Sequence, residues 1–375
     1  MVGGLAGWAG SFAAAGCRRR KSAGFNGYAF VANSEGQAVA AVDLTAFAVT
    51  RHIGLEANPS DLVVHPSKPV LYVLLPRVGI LQEIDADQLQ PRRKLRLSAV
   101  PSALRLSADG EALWILSAEQ RQILQVDTGR MLVKTRTSLP AAPVDLDFPP
   151  PGPSDRGQIV VSLAGNGRIS FVSQSTGKLE NTVDVGGSLG GIRFRADGDY
   201  LVVADRGSRE LVMWDLVGNR MAVRLPLAVR PDVLCPKPDG GELYVTGEGL
   251  DAVVSVYPFL TEVGTTLLAG RAPSFMATAG AYLLVANPKS NDVTIISTRN
   301  QSVVAVAPVG KEPCFIAVTP DDQFALVLNR ESGDMSVLRI EALATRRPRS
   351  MAPAAPMFTM VPVGSRPVAA AVRSL

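Results

Sequence analysis

A pair of apolar residues recurs along this chain at a nearly constant interval, and no other property of the sequence limits its fold as strongly. The second member of each pair is β-branched, and the first is usually bulky. The eight copies are Phe30-Val31, Tyr72-Val73, Trp114-Ile115, Val160-Val161, Val202-Val203, Tyr244-Val245, Leu284-Val285 and Leu326-Val327. Their second members are separated by 42, 42, 46, 42, 42, 40 and 42 residues. A period of this length indicates a repeat protein.

Two further positions keep their distance from this pair. An apolar residue follows 11 positions later in every copy, at Val42, Ile84, Val126, Val172, Trp214, Val256, Ile296 and Leu338. A third marker follows the pair 28 positions later in seven copies and 40 positions later in the last copy, and it is proline in seven of the eight: Pro59, Pro101, Pro143, Leu189, Pro231, Pro273, Pro313 and Pro367. Proline is tolerated where a strand begins. Each copy therefore predicts four strands, with the proline opening the first of them.

The longer intervals locate two insertions. Residues Pro149 to Gly157 lengthen the third interval, and the basic, proline-rich stretch from Thr345 to Met357 lengthens the last copy. Both are expected to be surface loops, since connections of this length are rarely buried.

Four-stranded units at this period are typical of propeller blades, because one twisted sheet must pack both of its faces against neighbours. We predict an all-β fold, an eight-bladed β-propeller occupying residues 27–375, with seven blades as the alternative. The chain enters at the second strand of a blade and ends with a proline strand, Pro367 to Arg373. We expect this last strand to complete the first blade and close the ring.

The repeat resembles the YVTN-type propeller family of bacterial and archaeal surface proteins and lactonase-like propellers. The resemblance covers the chain after residue 26 and is carried by Phe30-Val31-Ala32-Asn33, Leu243-Tyr244-Val245-Thr246, Leu284-Val285-Ala286-Asn287 and Gly310-Lys311-Glu312-Pro313. The resemblance implies a propeller fold but gives little information about a catalytic activity or a ligand. The repeat is WD40-like in length, but a Trp-Asp pair occurs once, at Trp214-Asp215.

Residues 1–26 read as a leader and linker. Met1 to Gly16 is uncharged and apolar, too short to span a bilayer as a helix, and ends in small residues before Cys17. Ala14-Ala15-Gly16-Cys17 resembles a bacterial lipobox, in which the cysteine is lipidated. This predicts a lipoprotein or secreted protein of the cell envelope that meets a membrane through its anchor alone. The alternative is a cytoplasmic protein with a disordered leader.

The charge distribution does not favour nucleic acid as a partner. The formal net charge is +4, but seven cations lie in two short tracts, Arg18 to Lys21 and Arg346 to Arg349, leaving 31 basic residues against 34 acidic ones. The propeller itself is therefore slightly acidic, whereas nucleic-acid binding usually requires a basic surface.

Alternation along the proline strands predicts which side chains face the central channel. The third and fifth residues from the proline position are almost all apolar and should pack between blades, whereas the second and fourth should face the channel. The charged members of the second set all fall in the first four of the eight proline strands. The predicted ligand-binding channel wall consists of Asp61, Arg105, Asp145, Asp147 and Arg193, opposite an apolar wall with Phe275 and Phe315. The alternative is that these charges only pair with one another across a wet channel.

Signatures of catalysis, metal binding and cofactor binding are missing from the sequence. The two histidines, His52 and His65, have no further ligand at metal-binding spacing, and Cys235 and Cys314 are too far apart in the repeat to pair. A quinoprotein-type site would need clustered tryptophans, and Trp8, Trp114 and Trp214 are scattered. We therefore expect a monomeric, non-enzymatic protein without catalytic residues, metal or cofactor, which binds a protein, peptide or glycan through its loop face. The alternative is a lactonase-like hydrolase acting on an anionic small molecule.

Overall fold

The computed structural model describes residues 24–344 and 357–375. These residues form eight sheets of four antiparallel strands arranged in a ring, and we number the strands β1 to β32 along the chain. The prediction of an eight-bladed β-propeller is confirmed, and the seven-bladed alternative is wrong.

Each blade runs from an inner strand at the centre of the ring to an outer strand at its rim. The inner strands are β4 (Asp61–Val64), β8 (Ala103–Leu106), β12 (Pro143–Asp147), β16 (Leu189–Phe194), β20 (Arg230–Pro236), β24 (Phe275–Ala279), β28 (Pro313–Val318) and β32 (Pro367–Ser374). The second strands, which carry the repeated apolar pair, are β1 (Gly27–Asn33), β5 (Val70–Leu75), β9 (Ala112–Ser117), β13 (Gln158–Leu163), β17 (Tyr200–Asp205), β21 (Leu243–Glu248), β25 (Tyr282–Asn287) and β29 (Phe324–Asn329).

The third strands are β2 (Ala38–Asp43), β6 (Ile80–Asp85), β10 (Gln122–Asp127), β14 (Arg168–Ser173), β18 (Glu210–Asp215), β22 (Ala252–Tyr257), β26 (Asp292–Ser297) and β30 (Asp334–Arg339). The outer strands are β3 (Ala48–Gly54), β7 (Gln90–Arg96), β11 (Leu132–Ser138), β15 (Leu179–Asp184), β19 (Arg220–Pro226), β23 (Glu262–Leu268), β27 (Ser302–Pro308) and β31 (Met357–Pro362). A 3-10 turn (Pro76–Val78) and one helical turn, α1 (Glu341–Ala344), are the helical elements of the described part of the chain.

The C-terminal strand closes the ring. β32 pairs antiparallel with β1, from Gly27 opposite Ser374 to Asn33 opposite Pro367, and so forms the inner strand of blade 1. Blade 1 therefore joins the two ends of the described chain, as the position of the last proline predicted. Blades 2 to 8 follow in chain order, each made of four consecutive strands.

The core lies between neighbouring blades. Phe30 and Val39 of blade 1, for example, pack with Leu71 and Val73 of blade 2 in one buried cluster. Second and third strands are buried on both faces, which is why they read as continuous apolar runs rather than as an alternating pattern. Burying each such side chain contributes about 1.5–3 kcal/mol.

The connecting loops define two faces of the disc. The loop face carries the loops that precede each inner strand and the loops that follow each second strand, and these two sets are hydrogen-bonded, as in Arg206 N to Ser188 O at 2.9 Å. The lower face carries the other connections, including the Pro149–Gly157 insertion between β12 and β13, which is the expected loop. The second insertion lies outside the described residues over 345–356, and Cys17 lies outside them as well.

Candidate functional site

The predicted alternation along the inner strands is present at the ring centre. Leu62, Leu104, Leu146 and Ile192, at the third position, are buried between blades, whereas the second and fourth positions are mostly half-exposed toward the channel. The fifth position differs from the prediction, because in most blades it lies where the inner strand ends and is only partly covered. Phe148 and Phe194 are such residues.

The five charged residues of the predicted wall lie on four adjacent blades and are coupled to one another. The Arg105 guanidinium lies 3.9 Å from an Asp61 oxygen and 3.6 Å from Asp145 Oδ1. Arg193 Nη1 donates to Asp145 Oδ2 at 2.6 Å, so Asp145 lies between the two arginines. The backbone positions these carboxylates, because Asp61 and Asp145 accept hydrogen bonds from the amides of Leu62 and Leu146 at 2.9 Å.

Asp147 is a member of this wall whose pKa is well above the usual range of a carboxyl group. Burial raises its pKa to about 6, against the opposing effects of the Arg193 charge and of a hydrogen bond from the Phe194 amide to Asp147 Oδ2 at 2.8 Å. Burial also raises the pKa of Asp61, although Arg105 opposes the shift. Asp147 is therefore a carboxyl group that titrates close to neutral pH.

The apolar part of the channel lies across the ring from these charges. The Phe275 and Phe315 rings of blades 7 and 8 pack at a centroid distance of 4.5 Å. Cys235 of blade 6 lies between the two regions, and burial raises the pKa of its thiol to about 11. Cys235 and Cys314 are free, as expected, but both are partly exposed rather than fully buried.

The chemistry of the charged wall follows from its balance of charges. Three carboxyl groups face two arginines, and both arginines already interact with Asp145. The wall therefore offers little net positive charge to an anion, and the pairing favours an ion-pair network. The role of these residues in ligand binding stays a prediction.

Sequence reasoning did not locate two adjoining cavities of the loop face, which lie beside blade 6. One cavity of about 410 Å³ lies between blades 5 and 6 and is lined by Ser188, Arg206, Gly207, Arg230, Pro231, Asp232 and Glu248. A second, of about 560 Å³, lies between blades 6 and 7 and includes Asp232, Glu248, Leu250, Asp251, Leu268 and Lys289. The two cavities share Asp232 and Glu248. Together they form one groove on the loop face beside blade 6, which we call the blade 6 groove.

Exposed ion pairs line this groove. Arg206 pairs with Asp232, and Arg230 Nη1 lies 3.2 Å from Glu248 Oε2. Asp232 lies at a β-bulge that interrupts the pairing of β20 with β21 between Pro231 and Val233, and blades 1, 4 and 8 have a bulge at the same place after the proline. Such a bulge cannot be recognised from the spacing of apolar residues in the sequence, which explains why Asp232 was not predicted as a site residue.

A buried aspartate holds the blade 5 side of the groove in place. Asp205 Oδ1 accepts hydrogen bonds from the Ser188 and Gly207 amides, both at 3.0 Å, and Arg224 Nη1 lies 3.2 Å from Asp205 Oδ2. Burial opposes ionisation of Asp205, but the hydrogen bonds from the backbone outweigh it and lower its pKa. Ser188 and Gly207 are thereby fixed before any ligand binds.

The histidines and cysteines do not form a metal site in the described part of the chain. No group of three or more potential ligand residues is found within residues 24–344 and 357–375. His65 is buried and not a surface residue, and its Nδ1 accepts from the amides of Ser67 and Lys68 at 3.2 and 3.0 Å. This histidine stabilises the turn after β4.

Comparison with known proteins supports the fold. Neither a family model nor a curated protein sequence matches the chain. Among solved structures, dihydro-heme d1 dehydrogenase NirN is similar over 95% of this chain and 77% of its own, with a TM-score of 0.75 and 13% identity. AztD from Citrobacter koseri is similar over 94% of this chain and 99% of its own, with a TM-score of 0.68 and 12% identity.

A third similar structure is a candidate 6-phosphogluconolactonase from Bacteroides fragilis. It covers 84% of this chain and 97% of its own, with a TM-score of 0.58 and 16% identity. These likenesses establish the propeller fold alone. At such low identity, propellers with different activities share one architecture, so function must be argued from the residues of this chain.

No helix among residues 24–344 and 357–375 has the length and apolar character that crossing a bilayer requires. The α1 turn, Glu341–Ala344, has four residues.

Proposed function

We propose that this protein is a non-enzymatic, envelope-exposed binding propeller, which takes a protein, peptide or glycan partner at its loop face and acts as a monomer. The blade 6 groove carries this proposal. Its two cavities, of about 410 and 560 Å³, adjoin at Asp232 and Glu248, so together they offer room for an extended segment of a partner. Alternating charges of Arg206, Asp232, Arg230 and Glu248 provide both donors and acceptors along it.

The lining of the groove is consistent with a macromolecular partner. Leu250 and Leu268 are exposed beside the charged pairs, so the groove combines apolar contact area with hydrogen-bonding groups. Propeller loops are rigid because the blades hold both ends of each loop, and binding functions concentrate on such loops. The ion pairs are exposed and screened, so a ligand can replace them at little cost.

The test is a peptide and glycan array probed with the protein lacking residues 1–23, compared with two double variants. Asp232→Ala with Glu248→Ala removes the two residues shared by both cavities. Lys311→Ala with Glu331→Ala is the matched control, since this pair on the loop face of blade 8 is equally exposed and lies 3.8 Å apart. We expect ligands that bind the parent and the control to lose about tenfold or more in affinity for the groove variant. Equal binding by all three proteins would place the site elsewhere.

A lactonase-like hydrolase acting on an anionic small molecule is the second candidate. The observation in its favour is the half-buried Asp147, with a pKa of about 6, next to Arg193 on the channel wall. The pairing of Arg105 and Arg193 with Asp145 argues against this hydrolase, because an anionic substrate would have to compete with the Asp145 carboxylate. Lactone hydrolysis by the parent that disappears in Arg193→Ala would favour this candidate over the first.

A further inference from the structure

A third cavity opens on the lower face, away from the blade 6 groove. It measures about 250 Å³ and lies below the inner strands of blades 4, 5 and 6. Its wall is largely apolar and is formed by Phe148, Pro150, Phe194, Val202, Pro236, Pro238, Leu243 and Pro258. Its size is that of a small organic molecule, below the range of drug-sized ligand pockets.

The wall is held in place by contacts within the protein. Arg195 Nε donates a bifurcated hydrogen bond to the two Asp197 carboxylate oxygens, at 3.0 and 2.9 Å, and Arg195 Nη2 donates to Asp197 Oδ2 at 2.5 Å. Its guanidinium stacks 3.9 Å from the centre of the Tyr200 ring and 4.8 Å from that of Phe259, which joins blade 5 to a blade 6 loop. The insertion is attached to blade 5 by Ser154 Oγ, which donates to Asp199 Oδ1 at 2.7 Å. The cavity is therefore preformed.

The charged groups around the cavity are almost all neutralised by partners. Arg193 pairs with Asp145, Arg195 with Asp197, and Lys237 with Asp239 at 2.9 Å. Glu242 accepts a hydrogen bond from the Tyr244 hydroxyl. Asp147 differs, because its hydrogen bonds come from backbone amides and none of the described ion pairs within 4 Å includes it. When the ion-pair partners are included, the carboxylate groups around the cavity outnumber the arginine and lysine side chains.

We propose that this lower-face cavity binds a small organic amine, with its ammonium group at Asp147 and its apolar body against Phe148, Phe194 and the prolines. A carboxylate beside aromatic rings is the combination that recognises organic cations, because both the charge and the ring faces attract them. An ammonium at Asp147 would also give this carboxylate a direct ion pair, in addition to the more distant Arg193 charge. The proposal is independent of the blade 6 groove.

The expected pH dependence has a defined sign. Burial raises the pKa of Asp147 to about 6, while Arg193 lowers it and Asp145 raises it; Arg195, Lys237 and Glu242 also line the cavity. A simple alkyl amine stays protonated throughout this range. Amine binding should therefore strengthen from about pH 5 to about pH 7.5, as Asp147 loses its proton.

The experiment measures binding of phenethylamine by isothermal titration calorimetry, with phenethyl alcohol and phenylacetate as neutral and anionic relatives of similar size. We expect binding of the amine alone, weakened about tenfold or more by Asp147→Asn. Asp43→Asn is the control, since Asp43 is also a half-buried carboxylate, at the end of β2 in blade 1, and does not line this cavity. Pro238→Trp, at an exposed position of the rim, should block the cavity without altering Asp147.

Three outcomes would overturn the proposal. Phenylacetate binding more tightly than the amine would show that Arg193 determines the selectivity. Unchanged amine binding in Asp147→Asn and Pro238→Trp would place the amine elsewhere. No binding of the amine by folded parent protein at pH 7.5 would show that the cavity does not recognise this class of ligand.

Discussion

Buried asparagines at the ends of second strands are held in place by hydrogen bonds from their side-chain Nδ2 atoms. Asn287 and Asn329, at the ends of two second strands, donate to Asp292 at 2.7 Å and to Asp334 at 2.6 Å. A Cβ atom added at Gly310 would lie 2.6 Å from Asp334 Oδ1 and 2.7 Å from Asn329 Cγ. The asparagine of the repeat and the glycine before the proline are therefore parts of one packed motif.

Asp147 gives a prediction at this scale. Its pKa rises from 3.8 to about 6 on folding, so the folded protein holds this proton more tightly than the unfolded chain. Stability should then decrease as the pH rises from about 4 to about 6, by about 1–3 kcal/mol for a half-buried group. Asp147→Asn should be more stable than the parent by this amount at pH 7.5 and similar to it near pH 4, as measured by urea unfolding.

Asp145→Asn is the control for this prediction. Asp145 is ion-paired with Arg105 and Arg193, so its loss should lower the free energy of unfolding at pH 7.5. A difference between Asp147→Asn and the parent that is the same at both pH values would contradict the prediction, because the effect would then not arise from titration.

Among the strands, β32 is the one on which closure of the ring depends. It covers the inner edge of β1, and Ala369 and Ala370 are buried against the clusters that join blade 1 to blades 2 and 8. The other seven blades are each continuous in the chain, so blade 1 is where the ring can open.

Deleting residues 367–375 should destabilise the protein by several kcal/mol or prevent its folding, because the deletion exposes an unpaired strand edge and the sides of two blades. Thermal unfolding and size-exclusion chromatography would detect the lower melting temperature and the aggregation. Deletion of Leu375 alone is the control, since this exposed residue lies beyond β32. A truncated protein that melts like the parent would show that β32 is dispensable.

At the scale of the whole molecule, the two faces of the disc have different surroundings if Cys17 is lipidated as proposed. Phe25 is buried against blade 8, and Gly24 lies beside Leu44 and Thr45 on the lower face. Residues 18–24 span at most about 25 Å when extended. An anchor at Cys17 would therefore hold the lower face toward the membrane and leave the blade 6 groove accessible.

The corresponding prediction is that full-length protein incorporates a labelled fatty acid and fractionates with membranes. Cys17→Ser should abolish the labelling, and Cys235→Ser should not, because the Cys235 thiol is largely buried in the channel wall. Unmodified Cys17 in soluble cytosolic protein would contradict the lipoprotein proposal and favour the cytoplasmic alternative.

The sequence by itself determined the blade number, the four strands of each blade and the closure by Pro367 to Arg373. These features depend on the spacing of residues within one repeat, and because this spacing recurs eight times it can be recognised from the sequence alone. It also identified the channel-facing residues, because strand alternation has a fixed period of two.

Only the tertiary structure decided how those residues pair and where the cavities lie. Asp145 interacts with two arginines because blades 3, 4 and 5 are adjacent in the ring. The repeat period specifies the spacing of residues along the chain but not the distances between side chains of neighbouring blades. The contacts that attach the Pro149–Gly157 insertion to blade 5 fall outside the repeat, and the bulge that presents Asp232 recurs after the proline in other blades without changing the spacing of the apolar residues. The candidate sites lie at such loops and bulges because the regular parts of the strands bury their side chains between blades.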